Sequence, residues 1–230
     1  MELPYSTEVY FTFMAEYNAR WTIVVIGGAV FCIASLAYIL FKGDAISVLI
    51  SRLIGALLGL SWIWTGLVHQ IGMMAELNFM APIYGVAWLF EGAVLIWLSI
   101  RRDSLVFQVN AGFSSKLGAL ISVIGLLIYP SILFFSDHEL RALPLAGTAP
   151  EPTLLFTAGI LLMAKNSKLY LAFFIPACGA VVSGLSAYLL GFHPDYIVFT
   201  FVLIALLVAV SKNQNVRAQK SQRSRVEGSE

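Results

Sequence analysis

Seven apolar stretches, separated by loops whose basic residues alternate in abundance, constrain this chain more than any other feature. A bilayer core of roughly 30 Å takes about 20 apolar helical residues per crossing. The stretches run from Trp21 to Phe41, Ser51 to Met74, Phe79 to Ile100, Leu117 to Phe135, Pro152 to Ala164, Leu169 to Phe192 and Pro194 to Ser211. With the N-terminus outside, the inward connections carry Lys42 and Arg52, then Arg101, Arg102 and Lys116, then Lys165 and Lys168. The C-terminal tail adds Lys212, Arg217, Lys220, Arg223 and Arg225. That makes 12 of the 14 Lys and Arg residues, leaving Arg20 and Arg141 outside. Basic residues accumulate in cytoplasmic loops, so the partition predicts an N-out, C-in orientation.

The expected fold class is therefore an all-α membrane protein with seven transmembrane helices in one domain. Residues 1–20 form an outer interfacial segment with a short helix, 21–211 the transmembrane domain, and 212–230 a basic, disordered cytoplasmic tail. A hydrophobic content of 59% against 12% charged residues agrees with the membrane class. The start lacks the basic n-region of a cleavable signal, so the first stretch is expected to target the chain, and the expected location is the inner (plasma) membrane, crossed several times. Cys32 and Cys178 each fall near the middle of a stretch and read as small packing residues. The expected partners are the lipid bilayer, a small solute or cation, and another copy or a membrane protein; nucleic acid is not among them.

Small residues recur at helical spacing. Gly55 and Gly59 form a GxxxG pair, and Gly179, Ser183, Ala187 and Gly191 form an i, i+4 stripe. Such stripes let helix backbones approach closely. Pro130 and Pro176 are expected to kink their helices. The fifth stretch is short: its 13 residues reach only about 20 Å. Pro152 suits a first helical turn, and Glu151 suits the positive end of the helix dipole. The lead-in from Ala142 to Pro150 contains Pro144, Gly147 and Pro150 and cannot be a regular helix. Irregular backbone at membrane depth must be buried in protein or line a wet cavity, which points to an outward vestibule with Glu151 and Thr153 at its rim.

Glu91 lies well inside a stretch, about 14 Å along the helix from Pro82. Tyr84, Trp88 and Glu91 share one helical face. No Lys or Arg is available at that depth, so Glu91 is expected to keep its proton, and intramembrane acids commonly mark ion or proton pathways. His69 falls near the outer end of the second stretch, while His138 and His193 accompany Asp137, Glu139 and Asp195 in outer loops. None of the histidines has the spacing of a known metal motif, so no metal, catalytic or cofactor residues are assigned. The signatures of a G-x-S-x-G hydrolase and of a P-loop are absent, and enzymatic chemistry is not expected from the residues present.

Taken together, these residues resemble a bacterial seven-helix membrane family that is a domain of unknown function. The resemblance rests on Met1-Glu2-Leu3-Pro4-Tyr5, Glu8, Tyr17-Asn18, Trp62, Trp64, Gly66, His69 and Asn78. It continues with Tyr129-Pro130, the Pro152-Thr153 run through Phe156-Thr157 and Gly159, Ile175-Pro176, Leu190-Gly191 and Asp195. It implies one seven-helix domain and brings no substrate. A cysteine before the Pro-Thr pair is also implied by the resemblance, where this chain has Glu151.

The resulting expectation is a vestibule formed by Glu91, Tyr84, Trp88, His69, Tyr129, Glu151 and Thr153, serving transport or permeation of a small solute or cation. The alternative is a sensor or accessory subunit that holds a protein partner through its N-terminal helix or basic tail. Clustering of Glu91, Glu151 and His69 around one cavity favours the first; a sealed apolar bundle with an exposed small-residue stripe favours the second.

Overall fold

The computed structural model describes residues 5–101, 105–109, 112–136, 138–165 and 172–227. Met1 to Pro4, Arg102, Asp137, Lys168 and Leu169, all used in the sequence reading, lie outside them. The described chain is all-helical. In order come α1 (Thr7–Arg20), α2 (Thr22–Lys42), α3 (Val48–Trp64), α4 (Ala81–Ile100), α5 (Phe113–Val123), α6 (Tyr129–Phe135), α7 (Pro150–Leu162), α8 (Phe174–Leu190) and α9 (Asp195–Glu227). Two π-helical stretches continue the rods: Thr65–Ile71 extends α3, and Ile124–Ile128 joins α5 to α6. Five of the resulting helices are long and apolar enough to cross a membrane, and α7 and α8 are shorter apolar helices. Their outward faces are greasy at helical spacing, as at Ile23, Ile26, Val30 and Ile33 of α2 and Ile83, Val86 and Phe90 of α4. These are the features of a membrane protein.

The helix boundaries follow local chemistry. Ser6 caps α1 by accepting from the Val9 amide, and Ser47 caps α3 by accepting from Ile50. Gly191, with φ of 66°, ends α8 in the left-handed conformation. The wide π turns precede Pro130, whose ring would otherwise meet the carbonyl four residues earlier. Pro176, expected to kink a helix, instead occupies the first turn of α8, where its missing amide removes no helical bond. The last helix does not stop at Ser211 but continues to Glu227, through residues the sequence reading assigned to a disordered tail.

The core is organised around α7. Twelve of its thirteen residues are buried, Glu151 being the exception, and α5, α8 and α9 surround it. Its shortness is thus the shortness of a helix enclosed by protein. Close approach is achieved through facing glycines: a Cβ on Gly118 would lie 2.5 Å from the Gly159 carbonyl of α7. The same device joins α3 to α4, where a Cβ on Gly59 would lie 2.7 Å from the Gly92 carbonyl. At the C-terminal end of α7 the Lys212 ammonium donates to the Ala164 carbonyl at 2.6 Å, favourably placed on the negative end of the helix dipole. There too an antiparallel bridge pairs Phe107 with Ala164.

At the opposite end α1 is docked into the bundle. Phe11, Met14 and Tyr17 are buried. Tyr17 donates its hydroxyl proton to the Thr148 carbonyl at 2.9 Å and accepts from Trp64 Nε1 at 2.8 Å. Asn18 Nδ2 donates to the Arg141 and Leu143 carbonyls, and the Gly147 amide donates to Thr153 Oγ1. Side chains of α1 and α7 therefore satisfy much of the irregular lead-in that the sequence reading expected vestibule water to satisfy.

Candidate functional site

A cavity opens at the α1 end of the bundle, in two adjoining parts of about 100 and about 80 Å³. Both are walled by Gln70, Tyr84, Pro150, Glu151, Val182 and Ser183. The deeper part reaches Trp62 and Trp88, whose rings stack at 4.0 Å between centroids. Trp62 is held in place by donating Nε1–H to Thr157 Oγ1 of α7 at 2.8 Å. The shallower part is bounded by Tyr5, Tyr10, His69 and Asp195. Six helices thus converge: α1, α3 with its π-helical end, α4, α7, α8 and α9. The π-helical end of α3 contributes His69 and Gln70, α4 contributes Tyr84 and Trp88, and the helix starts of α7 and α9 contribute the two acids.

Each acid opens a helix, where the unpaired amides and the dipole favour a negative group. Glu151 Oε2 accepts from the Tyr10 hydroxyl at 3.4 Å, and Asp195 Oδ1 accepts from the Tyr129 hydroxyl at 2.5 Å. Burial, reinforced by the charges of Glu151 and Asp195, pushes the Tyr5 phenol up to about 12. The same causes raise Tyr10. Both phenols therefore keep their protons at neutral pH; Tyr10 faces Glu151 as a donor, while Tyr5 pairs with Asn78. No Lys or Arg stands among the described residues lining either part.

Of the residues expected to form a vestibule, Tyr84, Trp88, His69 and Glu151 line this cavity. Tyr129 stands behind Asp195 and holds it. Thr153 is fully buried and fixes the Gly147 turn. Glu91 lines neither part; its side chain is 2% exposed, and its Oε1 has no hydrogen-bond partner. Glu91 is three and four residues beyond Trp88 and Ala87, so it shares their helix face one turn further along α4. His69 Nε2 lies 3.2 Å from Met14 Sδ, and its Nδ1 is buried without a partner. His138 stacks on Phe11 and His193 packs against Tyr196. Among the described residues no group of three or more His, Cys, Asp or Glu is arranged to hold a metal ion.

Asp195, Tyr5, Tyr10, Trp62 and Gln70 also line the cavity, though the sequence places Asp195 with the outer-loop acids and Tyr5 and Tyr10 in the outer interfacial segment. The available signal was Asp195 opening an apolar run just as Glu151 does.

Residues 7–220 match a family described as of unknown function, DUF6064. The chain belongs to DUF6064. The match takes in every cavity residue named above except Tyr5, so the acidic, aromatic cavity lies within the DUF6064 region. As the resemblance implied, DUF6064 carries no assigned activity. No curated protein and no solved structure matches the chain.

Chemically, two carboxyl groups, two protonated phenols, a carboxamide and an imidazole nitrogen can accept and release a proton or surround a cation. When ionised, Glu151 and Asp195 repel an anion.

Proposed function

We propose that this protein admits a small cation from outside the cell to a vestibule at its α1 end and passes it across the plasma membrane. The reading supposes seven crossings with the N-terminus outside and the C-terminus inside. It is supported by the 12 to 2 division of basic residues and by seven apolar helices, of which α7 reaches less far because protein encloses it. The observation that carries the function is the cavity itself: Glu151 and Asp195 face a partly open space framed by aromatic rings, with no Lys or Arg among its described walls. Glu91 serves as the next station, one helical turn below the floor.

The accessory-subunit reading draws less support. The apolar side of α1 is spent within the bundle. Ser183 and Ala187 of the small-residue stripe are buried, and Gly179 faces Leu154 of α7.

Reconstitution into proteoliposomes tests the proposal. Potential-driven uptake of rubidium and methylammonium is expected above that of protein-free vesicles for at least one of the two. Glu151→Gln and Asp195→Asn are each expected to lower it by about tenfold, a loss of about 1.4 kcal/mol on removing one carboxylate from the cation's surroundings. Uptake equal to protein-free vesicles with both ions rejects the reading.

A further inference from the structure

We infer that the cavity selects a small organic ammonium, a primary or methylated amine of a few carbons, over a bare metal cation. This rests on the cation reading above and names its substrate class.

The walls argue for it first. Tyr5 and Tyr10 frame the shallow part, Tyr84 stands between the two parts, and Trp62 and Trp88 frame the deep one. Ring faces attract ammonium groups and also pack against their carbons. A hard metal cation asks instead for about six or more oxygen ligands in one shell. Among the described residues no group of three or more His, Cys, Asp or Glu is arranged to hold such an ion.

His69 supplies the second, independent argument. A methionine sulfur can only accept, so a hydrogen bond at the 3.2 Å contact with Met14 Sδ requires the ring proton on Nε2. Nδ1 is then a bare lone pair, on a side chain 2% exposed, with no protein partner and on a residue that lines the cavity. A small turn of the ring would bring that lone pair to an N–H of a bound amine, whose charge Glu151 and Asp195 would balance. Leaving such an acceptor unmet in a buried place is costly, which favours a ligand that carries donors. The space fits as well: about 100 and about 80 Å³ admit a handful of heavy atoms and no drug-sized molecule.

The test uses the full chain in nanodiscs, with methylammonium, tetramethylammonium and potassium as chlorides at equal ionic strength. Binding is read from tryptophan fluorescence, since Trp62 and Trp88 lie at the site. Saturable binding of methylammonium, with none of potassium, is the expected result. Trp88→Leu is expected to weaken it by about tenfold or more through loss of the ring. His69→Gln is expected to weaken methylammonium and to spare any binding of tetramethylammonium, which has no N–H to donate. A thermal melt of each variant shows whether it is folded, and Tyr84→Leu provides a second removal of a ring should Trp88→Leu unfold. Potassium binding without either ammonium overturns the inference and leaves the cation vestibule standing. Absence of binding by all three, together with uptake no greater than that of empty vesicles, removes both.

Discussion

Tyr17 shows how much a single hydroxyl can organise here. It joins three elements: α1 by its own backbone, α3 through Trp64 Nε1, and the lead-in to α7 through the Thr148 carbonyl. Tyr17→Phe keeps the ring but strands an indole N–H and a carbonyl, and is expected to cost about 1–3 kcal/mol, read as a lower unfolding midpoint in detergent. Burial pushes the phenol up to about 12 from the ordinary 10. The unfolded chain thus loses this proton first as pH rises, so the stabilising effect is complete below pH 10 and disappears as pH climbs toward 12. The midpoint of the wild type is expected to fall across that window, and that of Tyr17→Phe to fall less. At this scale the sequence was partly legible. His69, Tyr84, Trp88 and Glu151 announce themselves as polar or amphipathic groups in apolar runs. Their partners do not, because Tyr10 meets Glu151 across 141 residues and Tyr129 meets Asp195 across 66. No local pattern encodes such a pairing.

Among elements, the glycines separate close packing from mere composition. Gly59 and Gly92 face each other across α3 and α4, and a Cβ on either meets the other's carbonyl at 2.7 Å. Gly59→Ala must move backbone apart and is expected to destabilise by about 1–3 kcal/mol. Gly27 sits in α2 with nothing within 4 Å of its would-be Cβ, so Gly27→Ala is expected to be neutral or to stabilise by up to about 1 kcal/mol. Paired melts of the two variants check the contrast, and equal losses would show that the α3–α4 contact is looser than described. The GxxxG spacing made Gly59 legible; its partner Gly92 has no motif of its own. The brevity of α7 was legible too, but its reason was not. Its irregular lead-in pointed to a wet place, whereas the cause is enclosure by α5, α8 and α9, with α1 supplying hydrogen bonds to the lead-in.

For the whole molecule the open question of direction and crossing number reduces to one loop. Five helices are long and apolar enough to cross, while α7 and α8 are shorter. Five and seven are both odd, so with the N-terminus outside either number leaves the C-terminus inside, and a fusion there cannot distinguish them. The segment between α7 and α8 does distinguish them. If both helices cross, Lys165 is cytoplasmic; if neither does, everything from the end of α6 to the start of α9 stays outside. Charge argues for crossing, since Lys165 and Lys168 belong to the basic set and Lys212, where the apolar part of α9 ends, donates to the Ala164 carbonyl. Reporter fusions after Arg101 and Lys165 are expected to read cytoplasmic, and one after Glu76 external. An external reading at Lys165 alone leaves a five-span bundle in which α7 and α8 form a re-entrant pair, with the cavity still at the α1 end. An external reading at Arg101 reverses the molecule, turns the acidic cavity toward the cytoplasm, and ends the case for uptake from outside.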